Sequence, residues 1–416
     1  MSSSTAVEWR RDLHAHPELG FTEFRTASRV AGRLADLGWD VVAGTDAIAS
    51  DERLGVPPDA ELDAAYARAE AEGGDPRFLP ALRGGQTAVV ATLHGSGPVV
   101  GLRADLDALP IVESAAPDHL PSAESFASRW PGVMHACGHD GHVGVAVELA
   151  ERLTADRPTA TVRLVFQPAE EGGRGGRAVA ASGVLDDLDL FVAAHLGLGL
   201  PTGSVLPSVD GLLANSKLRA LFHGRAAHAA LAPQDGRNAL LGAASAALAL
   251  TGMTRVAGHE TRVSVGRISG GTVPNVVPDL AELLLETRAD DGEVNADLEA
   301  RARAMLAGAA TMHGLTVDVE LIGSVTTAVA DDSARAQVAA AAEAAGLRLT
   351  GPVDGGLASD DATALMRRVQ AHGGTAVYAG VGADLAGPHH TPHFDFAEAA
   401  LPGAVDLLEQ LVRRLA

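Results

Sequence analysis

The chain has 416 residues, with 53 Asp and Glu against 32 Lys and Arg, a formal net charge of -21 and a single cysteine. That length exceeds one ordinary hydrophobic core and predicts two domains. The acidic balance, with no lysine or arginine run able to follow a phosphate backbone, argues against nucleic acid as a partner, and one cysteine rules out an intrachain disulfide framework and fits a reducing compartment.

The opening run MSSSTAVEWRRDLH lacks the apolar core of a secretory signal. The longest apolar stretch, Leu240 to Met253, is shorter than the roughly 20 residues that span a bilayer. A soluble, cytoplasmic protein without a membrane partner is expected.

Through the first half, short Val/Leu/Ala runs alternate with longer amphipathic segments, the rhythm of a mostly parallel sheet with helices on its faces, the α/β class. In chain order these are a helix over Thr22–Leu37, a strand over Pro98–Leu102, a helix over Gly141–Leu153, and strands over Thr161–Phe166 and Leu188–Ala194. Between the first two lies Gly44–Gly85, acidic and rich in Ala and Glu, with a helix-like stretch VPPDAELDAAYARAEAEGGDP flanked by prolines and glycines, which reads as a surface insertion. From Asp210 the order becomes strand Lys217–Phe222, helix Asn238–Leu250, strands Thr261–Ile268 and Ala281–Thr287, helix Glu293–Met312 and strand Thr316–Leu321. This β-α-β-β-α-β order is that of a ferredoxin-like sandwich. The α/β rhythm resumes near Ser333, with an alanine-rich helix at Ala339–Ala345, a strand over Thr375–Val381 and a helix over Leu401–Leu415. The first domain is therefore expected to be discontinuous, 1–209 plus 325–416, around an insert of 210–324.

In an open α/β sheet, ligands bind beyond the carboxyl ends of the strands. Four such places carry candidate groups: Arg103-Ala-Asp105-Leu-Asp107, Gln-Pro-Ala-Glu170-Glu171, His195, and a final loop with His389, His390 and His393. The segment Met134-His-Ala-Cys-Gly-His-Asp-Gly-His142 packs a thiol, three imidazoles and a carboxylate into nine residues. Structural zinc prefers several cysteines in a closed set, so these mixed donors point to an open catalytic site for zinc, manganese, cobalt or nickel. Of two adjacent glutamates, one can coordinate while the other faces a metal-bound water and takes its proton. Amide hydrolysis fits that chemistry. A second reading makes Cys137 a nucleophile with His139 or His142 as base.

Plainer readings attach to other residues. His16 and Glu18 read as a turn capping the following helix, Arg103 as structural, and His142 and His393 as hydrogen-bonded bystanders. The glycines of Glu171–Gly176 lack the Lys-Ser/Thr of a phosphate loop and read as tight backbone passage.

The motifs RRDLHAHPELGFTEFRTA, GLRADLDALPI, MHACGHDGH, FQPAEEGGRGGRA, AAHLG, GRAAHA, GGTVPNVVPD and HHTPHFDF occur in this order along nearly the whole chain. Together they resemble the aminoacylase/carboxypeptidase-type metallo-amidohydrolases that include auxin-conjugate and hippurate hydrolases. The resemblance implies two divalent ions per chain, manganese foremost. Cys137, His139, Glu171, His195 and His390 would be ligands, Cys137 bridging, with Glu170 as general base and acid. His390 is preferred to its rival His389 because His390-Thr-Pro-His-Phe394 matches the family's His-x-Pro-x-Phe spacing. In the insert, a dimerisation and lid domain by resemblance, His228 would reach a dimer partner's site to stabilise the oxyanion, while Asn275 and Arg288 would hold the substrate's carboxylate. Asp105 and Asp140 would orient imidazole ligands.

The Gly44–Gly85 segment, the run Val184–Asp189 and the His-His ending lie nearest a bacterial branch that cleaves p-aminobenzoyl-glutamate to p-aminobenzoate and glutamate, a step of folate catabolism. The alternative is a hydrolase of other N-acyl amino acids, or a partner subunit of a heteromeric enzyme. That branch uses a second, homologous subunit, so homodimer and heterodimer both stay open. The chain departs from the family at Ser359-Asp360-Asp361, where Ser-Glu-Asp is more typical. With aromatic residues at 3%, no stacking pocket for a benzoyl ring is visible as a motif.

Overall fold

The computed structural model describes residues 4–351 and 358–415; the first three residues of the opening run lie outside these. The chain divides into two compact units, one of Met1–Asp210, Ala328–Gly356 and Asp361–Ala416, the other of Gly211–Thr327 and Leu357–Asp360.

The first unit opens with α1 (Thr5–Ala15), α2 (Phe24–Asp36), β1 (Asp40–Ala43), α3 (Asp59–Ala71), β2 (Val89–Leu93), β3 (Val99–Asp105) and α4 (Leu120–Ala123). It continues through α5 (His139–Ala155), β4 (Thr161–Gln167), α6 (Gly176–Ala181), β5 (Leu190–Leu196) and β6 (Ser204–Leu206). The second unit holds β7 (Ala214–His223), α7 (Ala239–Thr251), β8 (Thr261–Gly270), β9 (Leu280–Ala289), α8 (Gly292–Met312) and β10 (Thr316–Val325). The chain then completes the first with α9 (Asp332–Ala344), β11 (Arg348–Leu349), α10 (Ala362–Ala371), β12 (Thr375–Val381), β13 (Leu385–Gly387), β14 (Asp395–Phe396) and α11 (Ala400–Arg414).

The large sheet runs β1-β2-β4-β3-β5-β12-β6-β11. Its centre is parallel, β4 to β3, β3 to β5 and β5 to β12, and its β1–β2 edge is antiparallel. The central strands bury consecutive apolar residues, such as Leu190, Phe191 and Val192, because helices cover both faces of a parallel sheet. In-register pairing puts Asp105 opposite Gln167, so the polar residues that follow β3 and β4 emerge side by side.

The Gly44–Gly85 segment is more firmly anchored than the surface insertion its composition implied. Leu62, Ala65, Tyr66 and Ala69 of α3 are buried, an i, i+3, i+4, i+7 stripe hidden among alanines. Tyr66 meets Phe24 of α2 edge-on at 5.4 Å.

In the second unit the order β10-β7-β9-β8, antiparallel throughout, is the ferredoxin-like arrangement. Leu218, Phe222, Leu283 and Leu285 of the sheet form one core with Ala243 and Leu250 of α7 and Ala302 and Leu306 of α8. Both helices start on side-chain caps: Asn238 accepts from the Leu241 amide, and Asp291 from those of Glu293 and Val294, satisfying donors that a helix leaves open.

Helix α1 joins the first unit through buried charge. Arg10, fully buried, bonds Asp395 and Glu398, and His14 donates between Asp140 and Glu113 at 2.8 Å each. Burial opposes charge on His14, but the two carboxylates outweigh it and raise its pKa from 6.5 to about 9. A value higher in the folded state than in the unfolded one stabilises the protein fully below pH 6.5 and is lost as pH rises through about 9. Denaturant unfolding of the metal-free protein across that interval should show falling stability, and His14→Gln should flatten the fall; an unchanged slope in the variant would refute the assignment.

Candidate metal centre

Gly138, at φ 97°, precedes the first residue of α5 in a left-handed conformation that a residue with a Cβ rarely adopts. That turn leaves Cys137 just outside the helix and His139 as its first residue. At the end of β5, His195 Nδ1 donates to the Leu196 carbonyl at 2.8 Å, leaving its Nε2 3.4 Å from Cys137 Sγ. His139 Nδ1 donates to the Asp107 carbonyl at 2.8 Å. Its Nε2 is buried, and so is Glu171 Oε1; neither has a hydrogen-bond partner among the described residues. Glu171 Oε1 stands 3.3 Å from the half-exposed His390 Nε2.

Two sets of donors result, Cys137, His139 and His195, and Cys137, Glu171 and His390, each with its atoms within 4.8 Å of one another. The thiol belongs to both. Burial first, then the Glu171 carboxylate, pushes the Cys137 thiol well above its ordinary value. Burial and then His142 hold His195 well below its own. Burial also opposes charge on His139, yet Asp105 and the Asp107 hydrogen bond raise it well above the usual imidazole value. A divalent cation among these groups would favour the thiolate and neutral imidazoles and satisfy both orphaned atoms. The residues therefore fit a pair of metal ions.

The two glutamates ride on the turn after β4. Asp107 accepts the Glu170 and Glu171 amides at 2.9 and 3.0 Å, and Glu170 Oε2 lies 3.9 Å from His139 Nε2. The glycines that follow allow the close passage read from the sequence: a Cβ on Gly175 would fall 1.8 Å from the Pro168 carbonyl oxygen.

Two orienting roles change. Asp105 bonds His142 Nδ1 at 2.6 Å and Arg103 at 2.5 Å, and lies 3.5 Å from His139 Nε2. It orients the bystander His142, whose Nε2 accepts the Leu196 amide at 3.0 Å, so that ring has no nitrogen to spare. Asp140 serves His14 and none of the five donors. The acceptor that fixes His139 is the main-chain carbonyl of Asp107, which residue type does not reveal. His389 Nε2 accepts the Leu198 amide at 3.4 Å, its ring packs on Phe394, and burial and then His390 lower its pKa to about 4. It is His390 that reaches the second set. Glu18 caps α2 through the Arg25 and Thr26 amides, His16 donates to the Asp12 carbonyl, Arg103 is buried against Gln167, and His393 packs on His119.

In the second unit, His228 is exposed, and its Nδ1 accepts the amides of Ala230 and Leu231 at 3.2 and 3.1 Å. Its proton therefore sits on Nε2. Exposed Asn275 is adjacent through its carbonyl, which accepts the Ala229 amide. Arg288 is not with them. It lies near the opposite end of β9, paired in register with Asn215, its guanidinium forked onto Glu286 at 2.9 and 3.0 Å.

Thiolate, imidazole and carboxylate donors gathered at the carboxyl ends of a parallel sheet define a metal-dependent hydrolase. The model of peptidase family M20/M25/M40 matches residues 101–414. Indole-3-acetyl-aspartic acid hydrolase of Enterobacter agglomerans is 44% identical, with 97% of this chain and 94% of that one covered. One of the subunits of Escherichia coli p-aminobenzoyl-glutamate hydrolase is 41% identical, with 96% and 93% covered. Among solved structures, an aminobenzoyl-glutamate utilization protein from Klebsiella pneumoniae superposes with a TM-score of 0.84 at 36% identity, covering 98% and 95%. A dinuclear metal-binding peptidase of the same family from Bacillus subtilis gives 0.66 at 25%, covering 98% and 97%. The chain belongs to peptidase family M20/M25/M40 and is a hydrolase of carbon–nitrogen amide bonds.

In the metal-free native protein, alkylation of Cys137 near neutral pH should run at least about tenfold slower than in the unfolded chain, since the thiolate is the reactive form. Equal rates would contradict the buried, carboxylate-flanked thiol.

Proposed function

We propose that the protein is a two-metal amidohydrolase that releases an acidic amino acid from an aromatic N-acyl conjugate, p-aminobenzoyl-glutamate foremost. The observation that carries this is the pair of donor sets sharing Cys137 beside Glu170. The substrate class is supported by two relatives whose named substrates each join an aromatic acyl group to aspartate or glutamate. Other N-acyl amino acids are the alternative substrates, and breakdown of folate fragments is the setting this chemistry suits.

Cys137, His139 and His195 would hold one ion and Cys137, Glu171 and His390 the other, manganese first, with zinc, cobalt and nickel suited to the same donors. Bound there, such ions would supply Lewis acidity at the scissile carbonyl and lower the pKa of water. Glu170 would take the proton of the attacking water and return it to the leaving nitrogen. His228, protonated on Nε2, donates to the developing oxyanion. Asn275 and Arg288 grip the substrate carboxylate, which must compete with Glu286 for the arginine fork.

His228 and Asn275 flank one end of the small sheet and Arg288 the other, some 25 Å apart at about 3.4 Å per residue. A shared grip on one carboxylate therefore calls for two copies of the unit. The exposed Leu241 and Leu248 on α7 and the open edge strand β8 offer the surface for a second copy or a homologous subunit. Among the described residues no helix is long and apolar enough to cross a membrane.

An acyl-thioester route through Cys137 is disfavoured, because its thiol is held protonated and His142 has both nitrogens engaged. Elemental analysis should find about two divalent ions per chain, and chelation should abolish glutamate release from p-aminobenzoyl-glutamate until manganese is restored. Glu170→Gln should lower kcat by about 10²- to 10⁴-fold with metal content unchanged. Activity that survives in the metal-free protein and disappears on thiol alkylation would select the thioester route instead.

A further inference from the structure

Three consecutive amides, those of Ala169, Glu170 and Glu171, donate to two buried carboxylates. Glu23 Oε1 accepts from Ala169 at 2.8 Å, while the two oxygens of Asp107 accept from Glu170 and Glu171 at 2.9 and 3.0 Å. Glu23 and Asp107 are 0% and 1% exposed. They come from different elements, Glu23 from the start of α2 and Asp107 from the segment after β3. The Thr87 hydroxyl donates to the other oxygen of Glu23 at 2.6 Å.

The turn needs such a clamp. Ala169 is held at φ 51°, a left-handed conformation, and Glu171 is followed by Gly172 at φ 96° and Gly173 at φ 73°. Glycines supply little intrinsic stiffness; the turn's carbonyls accept from Gly173, Arg174 and Gly175 within the turn itself, and its three amides are tied to the rest of the unit through Glu23 and Asp107. Burial first, and then the nearby Asp107 carboxylate, raise the Glu23 pKa to about 8, and an uncharged carboxyl still accepts the Ala169 amide through its oxygen. Asp107 also turns the His139 ring through its main-chain carbonyl, joining both glutamates and one imidazole at a single residue.

We propose that Glu23 and Asp107 are positioning residues for hydrolysis, gripping the Ala169–Glu171 backbone so that Glu171 faces the metal pair and Glu170 the attacking water. This rests on the roles given above to Glu170 and Glu171. The reasoning is geometric: a displacement near 1 Å at a reacting group costs on the order of 10²-fold in rate, and loss of the partners around a metal ligand weakens metal affinity about 10- to 100-fold.

The test compares Glu23→Leu, Glu23→Gln, Asp107→Asn and Thr87→Val with Glu170→Gln and with Glu18→Gln. Glu18→Gln disturbs a buried cap of similar kind on the amides of Arg25 and Thr26. Kinetics are read on p-aminobenzoyl-glutamate, manganese affinity by chelator competition, and folding by circular dichroism. Glu23→Leu and Asp107→Asn should lower kcat about 10²-fold with KM little changed and weaken manganese binding at least about tenfold. Glu23→Gln, which keeps an acceptor for the Ala169 amide, should stay near wild type, and Glu18→Gln should lower stability alone. Wild-type kcat and metal affinity in folded Glu23→Leu or Asp107→Asn overturn the proposal. Should neither fold, the near-isosteric Thr87→Val decides: a several-fold lower kcat supports the clamp and an unchanged kcat overturns it. If Glu170→Gln is fully active, the reading of Glu170 as base fails by itself, and the manganese measurement still judges the clamp through Glu171.

Discussion

A buried thiol among carboxylates and imidazoles is the constraint on which the first unit depends. Burial, reinforced by the Glu171 carboxylate, opposes the ionisation of Cys137. Among the described residues, His139 Nε2 and Glu171 Oε1 have no hydrogen-bond partner. Buried polar atoms without partners are costly, and here they converge within a few ångströms. The fold holds these groups in an arrangement that is unfavourable by itself and becomes favourable around divalent cations, which ties the integrity of the site to its chemistry.

The parallel sheet makes that arrangement possible. Neighbouring strands running the same way release their next residues at one edge, so positions as distant in sequence as Asp107, Glu170 and His195 arrive together. Around this edge the protein builds its supports from main chain as much as from side chains: the carbonyls of Asp107 and Leu196 set the two imidazoles, and amides of the glutamate turn bind buried carboxylates. Precision at the donors is thereby inherited from strand register.

Much of this was legible in the sequence. Donors placed just after apolar runs marked Glu170, Glu171 and His195, and the order of strands and helices marked the small sandwich. What escaped had physical reasons. The β2 strand, fully buried, is a short apolar run, and periodicity does not distinguish such runs from buried helix. The stripe on α3 was masked by alanine. Asp140 stands next to His139 in the sequence, yet the helix turns its side chain to His14, and Asp107 acts on His139 through a carbonyl that every residue possesses. Resemblance to the family's His-x-Pro-x-Phe pattern favoured His390 over its rival His389, and in the structure His389 is tucked against His195 and Phe394.

The central strand β12 and the donor His390 both follow the inserted unit in the chain, whereas β3, β4 and β5 precede it. During synthesis from the amino terminus, the small sandwich has its complete strand set before the larger sheet has its own. The early strands must wait with an unpaired edge on β5 until residue 375 and beyond are made, a long-range closure of the kind that slows folding. Of the two donor sets, Cys137, His139 and His195 are all made before the inserted unit, whereas the set of Cys137, Glu171 and His390 is incomplete until the loop after β12 has been translated.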